Sequence, residues 1–257
     1  MKPLLAGALL LSLAVITNGI AWKRGFYRPL APGSRPTSTT LWTVGIGGLL
    51  FFGLQFAVGA ITLLFFRPTT LSQIGWVSAI GMLVASLSLI AYKGRRLLSR
   101  PLSPHLKMGL LTLLLALPTA YGLGQLVEGL LGTVDKEQTV VAFFRKIAGQ
   151  PLLPWVMGLG IVLLGPVAEE ILFRGLLQSW LRKRMGALAA IFLSSLLFVA
   201  VHLTPSQGMA NLTLVAVLFP FACFLGYLYE RQRSLWAPVT LHCSLNGLTI
   251  ATLALSP

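Results

Sequence analysis

Long apolar runs separated by short polar loops dominate this chain. A helix that crosses a bilayer needs about 20 mainly apolar residues, and eight runs come near or above that length. The pattern therefore predicts an all-α polytopic membrane protein with about eight transmembrane helices. The runs cover residues 4–22, 41–66, 71–92, 106–131, 151–181, 187–203, 209–229 and 235–255.

Residues 133–149 break this pattern, because polar and apolar positions alternate with helical spacing. A short amphipathic helix on the membrane surface and an ordinary loop with scattered hydrophobic residues both fit the pattern. No long polar linker divides the chain, so residues 1–257 are interpreted as one transmembrane domain. Residues 1–150 hold four helices and this segment, and 151–257 form the core that carries the chemistry. The apolar face comprises Val140, Val141, Phe144 and Ile147.

Composition and charge agree with a membrane protein and indicate its orientation. Hydrophobic residues make up 56% of the chain and charged residues 10%, against about 25% charged in soluble domains. The net charge of +14 would suggest nucleic acid in a soluble protein. Here the loops after runs one, three, five and seven, counted with Lys107 at the start of run four, carry 14 of the 20 basic residues, and the chain ends and other loops carry 5. The basic residues are therefore interpreted as topology signals that place the odd loops in the cytoplasm, with the bilayer as partner and no nucleic acid.

The segment GPVAEEILFRG, residues 165–175, places two adjacent carboxylates, Glu169 and Glu170, inside the fifth run. The chain has only six acidic residues, and an ionisable group at the bilayer centre costs about 2.5–3.5 kcal/mol on insertion scales. Such groups indicate a functional site by default. The alternative is an ion pair with Arg174 that only holds helices together.

Further polar residues lie at similar depth in runs six and eight. His202 follows Phe198 by four residues, and Asn246 follows His242 by four. Polar groups in lipid should face the bundle interior and pair with one another. The sequence therefore predicts one site between the helices of the second half of the chain.

Helical geometry suggests a role for each of these residues. Glu170 and Arg174 are four residues apart and can form a structural salt bridge. Glu169 points about 100° away around the helix and is freer to act on water. His242 and Asn246 share a face and can donate hydrogen bonds to an oxyanion. Phe198 and His202 also share one helical face, with Phe198 as an apolar wall.

Three patterns, E-E-x-x-x-R, F-x-x-x-H and H-x-x-x-N, follow one another on successive runs. In this order they resemble the CPBP family, which comprises type II CAAX-prenyl endopeptidases and their bacteriocin-processing and self-immunity relatives. The resemblance implies an intramembrane endopeptidase acting on a membrane-associated protein or peptide, in the plasma membrane of a prokaryote. It implies that Glu169 and His202 activate water, with His242 and Asn246 at the oxyanion. It also implies zinc as a possible cofactor, with Glu169, His202 and His242 as ligands.

Two other functions remain open on the residues alone. Carboxylates and histidines in membranes also form proton relays, so a proton-coupled transporter is one alternative. The confinement of the polar residues to the second half disfavours it, since transporters often repeat such features in both halves. A catalytically idle scaffold or immunity protein that binds a partner in the membrane is the other.

Overall fold

The protein folds as a bundle of long helices, as the apolar runs predict. The computed structural model describes residues 2–28, 30, 38–98, 101–132, 139–147 and 149–255, and these contain no β-strand. Six helical stretches among them, one being Leu153–Ala200, are long and apolar enough to cross a bilayer. The helices are Lys2–Lys23 (α1), Leu41–Phe65 (α2), Leu71–Gly94 (α3), Ser103–Leu131 (α4), Thr139–Ile147 (α5), 153–185 (α6), 187–200 (α7), Ala210–Gln232 (α8) and Trp236–Leu255 (α9).

A sharp turn at Gly186 divides the stretch Leu153–Ala200 into two helices. Gly186 has φ 79° and ψ 177°, a backbone conformation that residues with a Cβ rarely adopt. The rings of Phe173 and Phe198 lie 5.2 Å apart, whereas a straight helix would separate these residues by about 37 Å. Helices α6 and α7 therefore run antiparallel, and each of the eight predicted runs corresponds to one helix.

The largest correction to the predicted boundaries concerns the sixth run. Helix α7 ends at Ala200 instead of residue 203, so His202 lies in the turn that follows. Pro205 disfavours helix in the residue before it, and Thr204 is extended at φ −123° and ψ 131°. The fifth run continues beyond residue 181 to the turn at Gly186, and Pro118 lies inside α4 without ending it.

Helix α5 supports the amphipathic-helix interpretation of residues 133–149 over the loop. Its Ile147 is 1% exposed and belongs to a cluster with Ala79 of α3 and Leu153 and Met157 of α6. This apolar side chain is therefore covered by protein. Residues 133–138 and the side chains of Val140, Val141 and Phe144 lie outside the described part of the chain.

The segments that follow α1, α3, α6 and α8 meet at one end of the bundle. Lys183 donates from Nζ to the carbonyl of Thr39 at 3.1 Å. Trp236 donates from Nε1 to the carbonyl of Leu98 at 3.2 Å. Tyr227, near the end of α8, donates to the carbonyl of Phe26 at 2.8 Å. These contacts place the loops with most of the basic residues on the same side.

Tyr27 helps to fix the segment after α1. Its hydroxyl donates to Oδ1 of Asn18, and burial raises the pKa of Tyr27 to about 12, with the neighbouring Tyr227 as a second cause. Tyr27 is therefore a neutral donor at physiological pH.

The basic end is expected to face the cytoplasm. A cysteine introduced by Arg184→Cys should stay unlabelled by a membrane-impermeant maleimide in sealed cells and react after lysis. Gly149 is exposed and lies just beyond α5, in a segment expected on the outer side. A cysteine introduced by Gly149→Cys should therefore react in intact cells. Both variants are made after replacing Cys223 and Cys243 by alanine. Labelling of the first cysteine in intact cells would reverse the orientation.

Helix α1 packs closely along α4 at a glycine. A Cβ on Gly7 would lie 2.8 Å from the backbone nitrogen of Leu126 and 3.1 Å from the carbonyl oxygen of Gly122. Backbone atoms cannot move aside as a flexible side chain can, so the two helices depend on the missing side chain here.

We expect Gly7→Ile to separate α1 from α4 and lower the melting temperature in detergent. Overpacking of this kind costs about 1–3 kcal/mol. Gly19→Ile is the matched control, because it lies in the same helix and a Cβ there would meet nothing within 4 Å. Equal melting temperatures for the two variants would contradict this account of the interface.

Candidate active site

Helix α6 carries both glutamates and changes its winding on either side of them. Residues Gly160–Leu164 and Ile171–Gln178 are π-helical, and Gly165–Glu170 between them is α-helical. π-Helical turns inside α-helices frequently lie at functional sites. Residues 165–168 are small or apolar and buried, so α3 and α9 can pack closely around this segment.

The predicted salt bridge between Glu170 and Arg174 is present. Arg174 Nη1 lies 3.0 Å from Glu170 Oε1, and both side chains are 0% exposed. Arg174 Nη2 also donates to the carbonyl of Ala222 in α8 at 3.1 Å. Its guanidinium lies 4.6 Å from the ring centre of Phe198 in α7. Arg174 therefore connects α6 with two neighbouring helices, beyond the pairing that the spacing predicts.

His242 of α9 lies between the two glutamates. Its Nδ1 is 3.0 Å from Glu170 Oε1, and its Nε2 is 3.8 Å from Glu169 Oε2. A carboxylate that already accepts from Arg174 can serve only as an acceptor, so Nδ1 carries the hydrogen. Glu170 thus orients the imidazole and turns Nε2 toward Glu169. The Glu169 side chain is 20% exposed, which leaves it accessible to a reacting group.

His202 lies beside the same aromatic ring as His242. The centre of the Phe198 ring is 4.6 Å from that of His202 and 5.7 Å from that of His242. His202 Nδ1 is 2.7 Å from the carbonyl oxygen of Phe198. Since a carbonyl only accepts, Nδ1 is the donor, and a neutral His202 presents an unprotonated Nε2. Phe198 is therefore in contact with both imidazoles, as well as with Arg174.

Asn246 makes a contact that sequence reasoning missed. Its Nδ2 donates to the carbonyl of Ile161, in the π-helical turn before the glutamates, at 2.9 Å. An amide nitrogen carries two hydrogens, so this bond leaves a second donor on Asn246. The side chain thus joins α9 to α6 on the same face as His242.

A second buried polar cluster lies farther along α6 and was also missed. Gln178 Nε2 donates to the carbonyl of Gly226 and to Glu230 Oε1, each at 3.1 Å. Ser194 of α7 donates to Gln178 Oε1 at 3.2 Å, and Arg182 forms an ion pair with Glu230. Gln178 therefore bonds to both α7 and α8. Glu230, a rare acidic residue at the end of an apolar run, was the signal that could have indicated this cluster.

The three residues suggested as zinc ligands do not form a metal-binding cluster here. In the described part of the chain, no group of three or more histidine, cysteine, aspartate and glutamate side chains could hold an ion. Glu169 and His242 face each other, whereas the described contacts of His202 are with Phe198. Zinc binding therefore stays a prediction from the resemblance.

Fold and site together define a multi-pass α-helical membrane protein with a buried cluster of carboxylates, histidines and arginine. Residues 151–248 match the family model of type II CAAX prenyl endopeptidase Rce1-like proteins. The matched stretch contains all seven candidate residues, from Glu169 to Asn246. The family resemblance predicted from the three motifs is confirmed over this stretch.

The chain is also similar to a curated bacterial protein. The chain is 25% identical over 132 residues to the Bacillus subtilis (strain 168) protein named Putative membrane peptidase YdiL. The alignment covers 48% of this chain and 49% of that protein, so the chain spans about half the length of the curated relative it matches. No solved structure matches the chain.

Proposed function

We propose that this protein is an intramembrane endopeptidase that hydrolyses a peptide bond of a membrane-associated protein or peptide. The observation that carries the proposal is the arrangement around His242. A partly exposed carboxylate, Glu169, faces the imidazole nitrogen Nε2 at 3.8 Å, inside an apolar bundle. This distance exceeds a direct hydrogen bond and lets one water molecule contact both groups.

In the proposed reaction, Glu169 removes a proton from that water, and the oxygen of the water attacks the scissile carbonyl carbon. The unprotonated Nε2 of His202 helps to hold the water. The carbonyl carbon then has four substituents, and the carbon–nitrogen bond breaks as Glu169 passes the proton to the leaving amine. The products are a carboxylic acid and an amine, which exchange a proton to give a carboxylate and an ammonium group.

His242 and Asn246 would stabilise the negative charge that develops on the carbonyl oxygen. For this role His242 carries a hydrogen on Nε2 as well as on Nδ1, so that Nε2 can donate on the side of Glu169. Asn246 has one amide hydrogen beyond its bond to Ile161. Preorganised donors of this kind are typically worth about 10²–10³ in rate. Glu170 and Arg174 hold His242 in place and do not contact the substrate.

The test is cleavage of transmembrane and amphipathic peptides by the purified protein in lipid nanodiscs, followed by mass spectrometry. Peptides with and without a C-terminal prenyl group are compared, because the matched family model is named for prenylated substrates. Defined products that disappear with Glu169→Gln support the proposal. Products that persist unchanged would indicate a contaminating protease and count against it.

Zinc is proposed separately, from the family resemblance alone. Metal analysis of the purified protein, together with cleavage before and after chelator treatment, decides it. Stoichiometric zinc and a loss of activity that added zinc restores would support the ligand set Glu169, His202 and His242.

We also propose the plasma membrane of a prokaryote as the location, because the matched relative is bacterial.

A further inference from the structure

The carbonyl oxygen of Ile161 lacks a backbone donor in its own helix. In an α-helix it would accept the N–H of Gly165, and in a π-helical turn the N–H of Pro166. The N–H of Gly165 donates instead to the carbonyl of Gly160, and proline has no N–H. The proline therefore leaves a gap in the backbone hydrogen bonding one turn before the glutamates.

The side chain of Asn246 fills this gap. Its Nδ2 donates to Ile161 O at 2.9 Å, from a helix that follows 85 residues later in the chain. An unpaired carbonyl is costly inside a membrane, where no water replaces the missing donor. We propose that Asn246 is a positioning residue that substitutes for the N–H absent at Pro166 and thereby fixes the segment that carries Glu169.

The position of the Glu169 carboxylate depends directly on this segment. It follows Pro166 by three residues, which is less than one helical turn. Its Oε1 lies close over Gly165, since a Cβ on that glycine would be 3.8 Å from this oxygen. Asn246 follows His242 by four residues on α9. Its hydrogen bond to Ile161 O therefore acts together with the bond from His242 Nδ1 to Glu170 Oε1 to fix the separation of α9 and α6.

Because Glu169 is the proposed base, the catalytic part of this inference rests on the proposed function. The decisive experiment is a double-mutant cycle between Asn246→Ala and Pro166→Ala. Misplacement of a catalytic group by about 1 Å can cost roughly 10²-fold in rate. Asn246→Ala alone should therefore reduce kcat about 10- to 100-fold with little change in KM.

Pro166→Ala restores a backbone N–H at position 166. In that background, Asn246→Ala should cost at least about tenfold less in kcat than it does in the unmodified protein. Pro118→Ala is the matched control, because it also removes a proline from inside a membrane helix, α4, and should give no rescue. If Asn246→Ala lowered kcat by the same factor in the unmodified protein, in Pro166→Ala and in Pro118→Ala, the proposal would be overturned and Asn246 would keep only an oxyanion role.

A second measurement does not depend on activity. Ile161–Val162 is the only Ile-Val pair in the chain, so labelling isoleucine with ¹³C at the carbonyl and valine with ¹⁵N isolates the Ile161 carbonyl in solid-state NMR spectra. Asn246→Ala should shift this signal, and Thr249→Ala, one turn further along α9, should leave it unchanged. An unshifted signal in Asn246→Ala would refute the hydrogen bond. If Glu169→Gln kept full activity, the proposed function would fail while this spectrum still decided the role of Asn246.

Discussion

Glu169→Gln is expected to abolish peptide-bond cleavage while leaving the protein folded. Glutamine keeps the shape of the side chain but cannot accept a proton from water. A positioned general base is typically worth about 10²–10⁴-fold in rate, and the loss should reach the upper end in a site that excludes bulk water. Folding should survive, because the side chain is 20% exposed and meets His242 at 3.8 Å, beyond hydrogen-bond distance.

Single-turnover cleavage is compared among four variants: Glu169→Gln, His202→Ala, the double variant of these two, and Glu170→Gln. His202→Ala should resemble Glu169→Gln, since both residues are proposed to act on one water. The double variant should then be hardly slower than either single one, because residues that act as a unit are grossly non-additive. Glu170→Gln should instead lower stability, since it weakens contacts to Arg174 and His242 together.

Two outcomes would contradict this assignment in different ways. Near-normal cleavage by Glu169→Gln together with complete loss in a well-folded Glu170→Gln protein would reverse the roles of the two glutamates. Equal cleavage by wild type and all four variants would refute the protease proposal. A biological function that persisted in Glu169→Gln, with no cleavage in either protein, would favour the scaffold alternative.

Much of the fold follows from the sequence because lipid imposes a simple rule on the chain. Backbone polar groups in lipid must be satisfied within the protein, and a helix satisfies nearly all of them within its own segment, so an apolar run of sufficient length becomes a helix. The antiparallel hairpin of α6 and α7 could be predicted from the basic stretch 182–184, which must return to the membrane surface between two apolar runs. The Glu170–Arg174 pair also follows from local spacing, since residues four apart share a helical face.

The contacts that were missed join residues distant in the chain. Nothing near Asn246 indicates that its partner is the carbonyl of Ile161, because the cause is the missing N–H of Pro166 on another helix. Gln178 and Glu230 likewise meet only because α6 and α8 pack side by side. Helix α7 ends at Ala200, a few residues before Pro205, which disfavours helix only in the residue directly before it. The apolar pattern alone therefore did not indicate this end.

The role assigned to Arg174 leads to the second large expected effect. Arg174→Ala should impair folding more than chemistry, with low yield and a lower melting temperature in detergent. The substitution leaves the 0% exposed carboxylate of Glu170 without its cation and removes the bond to Ala222 O. Breaking a buried ion pair by removing one partner typically costs about 3–5 kcal/mol, a large part of the stability of an average domain.

Arg184→Ala is the matched control for Arg174→Ala. Arg184 lies on the same helix and also stacks on an aromatic ring, with its guanidinium 4.0 Å from the centre of Trp180. It is exposed, however, and its side-chain hydrogen bond is to Trp180 O, so its loss should change the melting temperature little. Activity is then compared per folded molecule, in protein that survives size-exclusion chromatography. An Arg174→Ala protein as stable as the control but unable to cleave would show that Arg174 contacts the substrate.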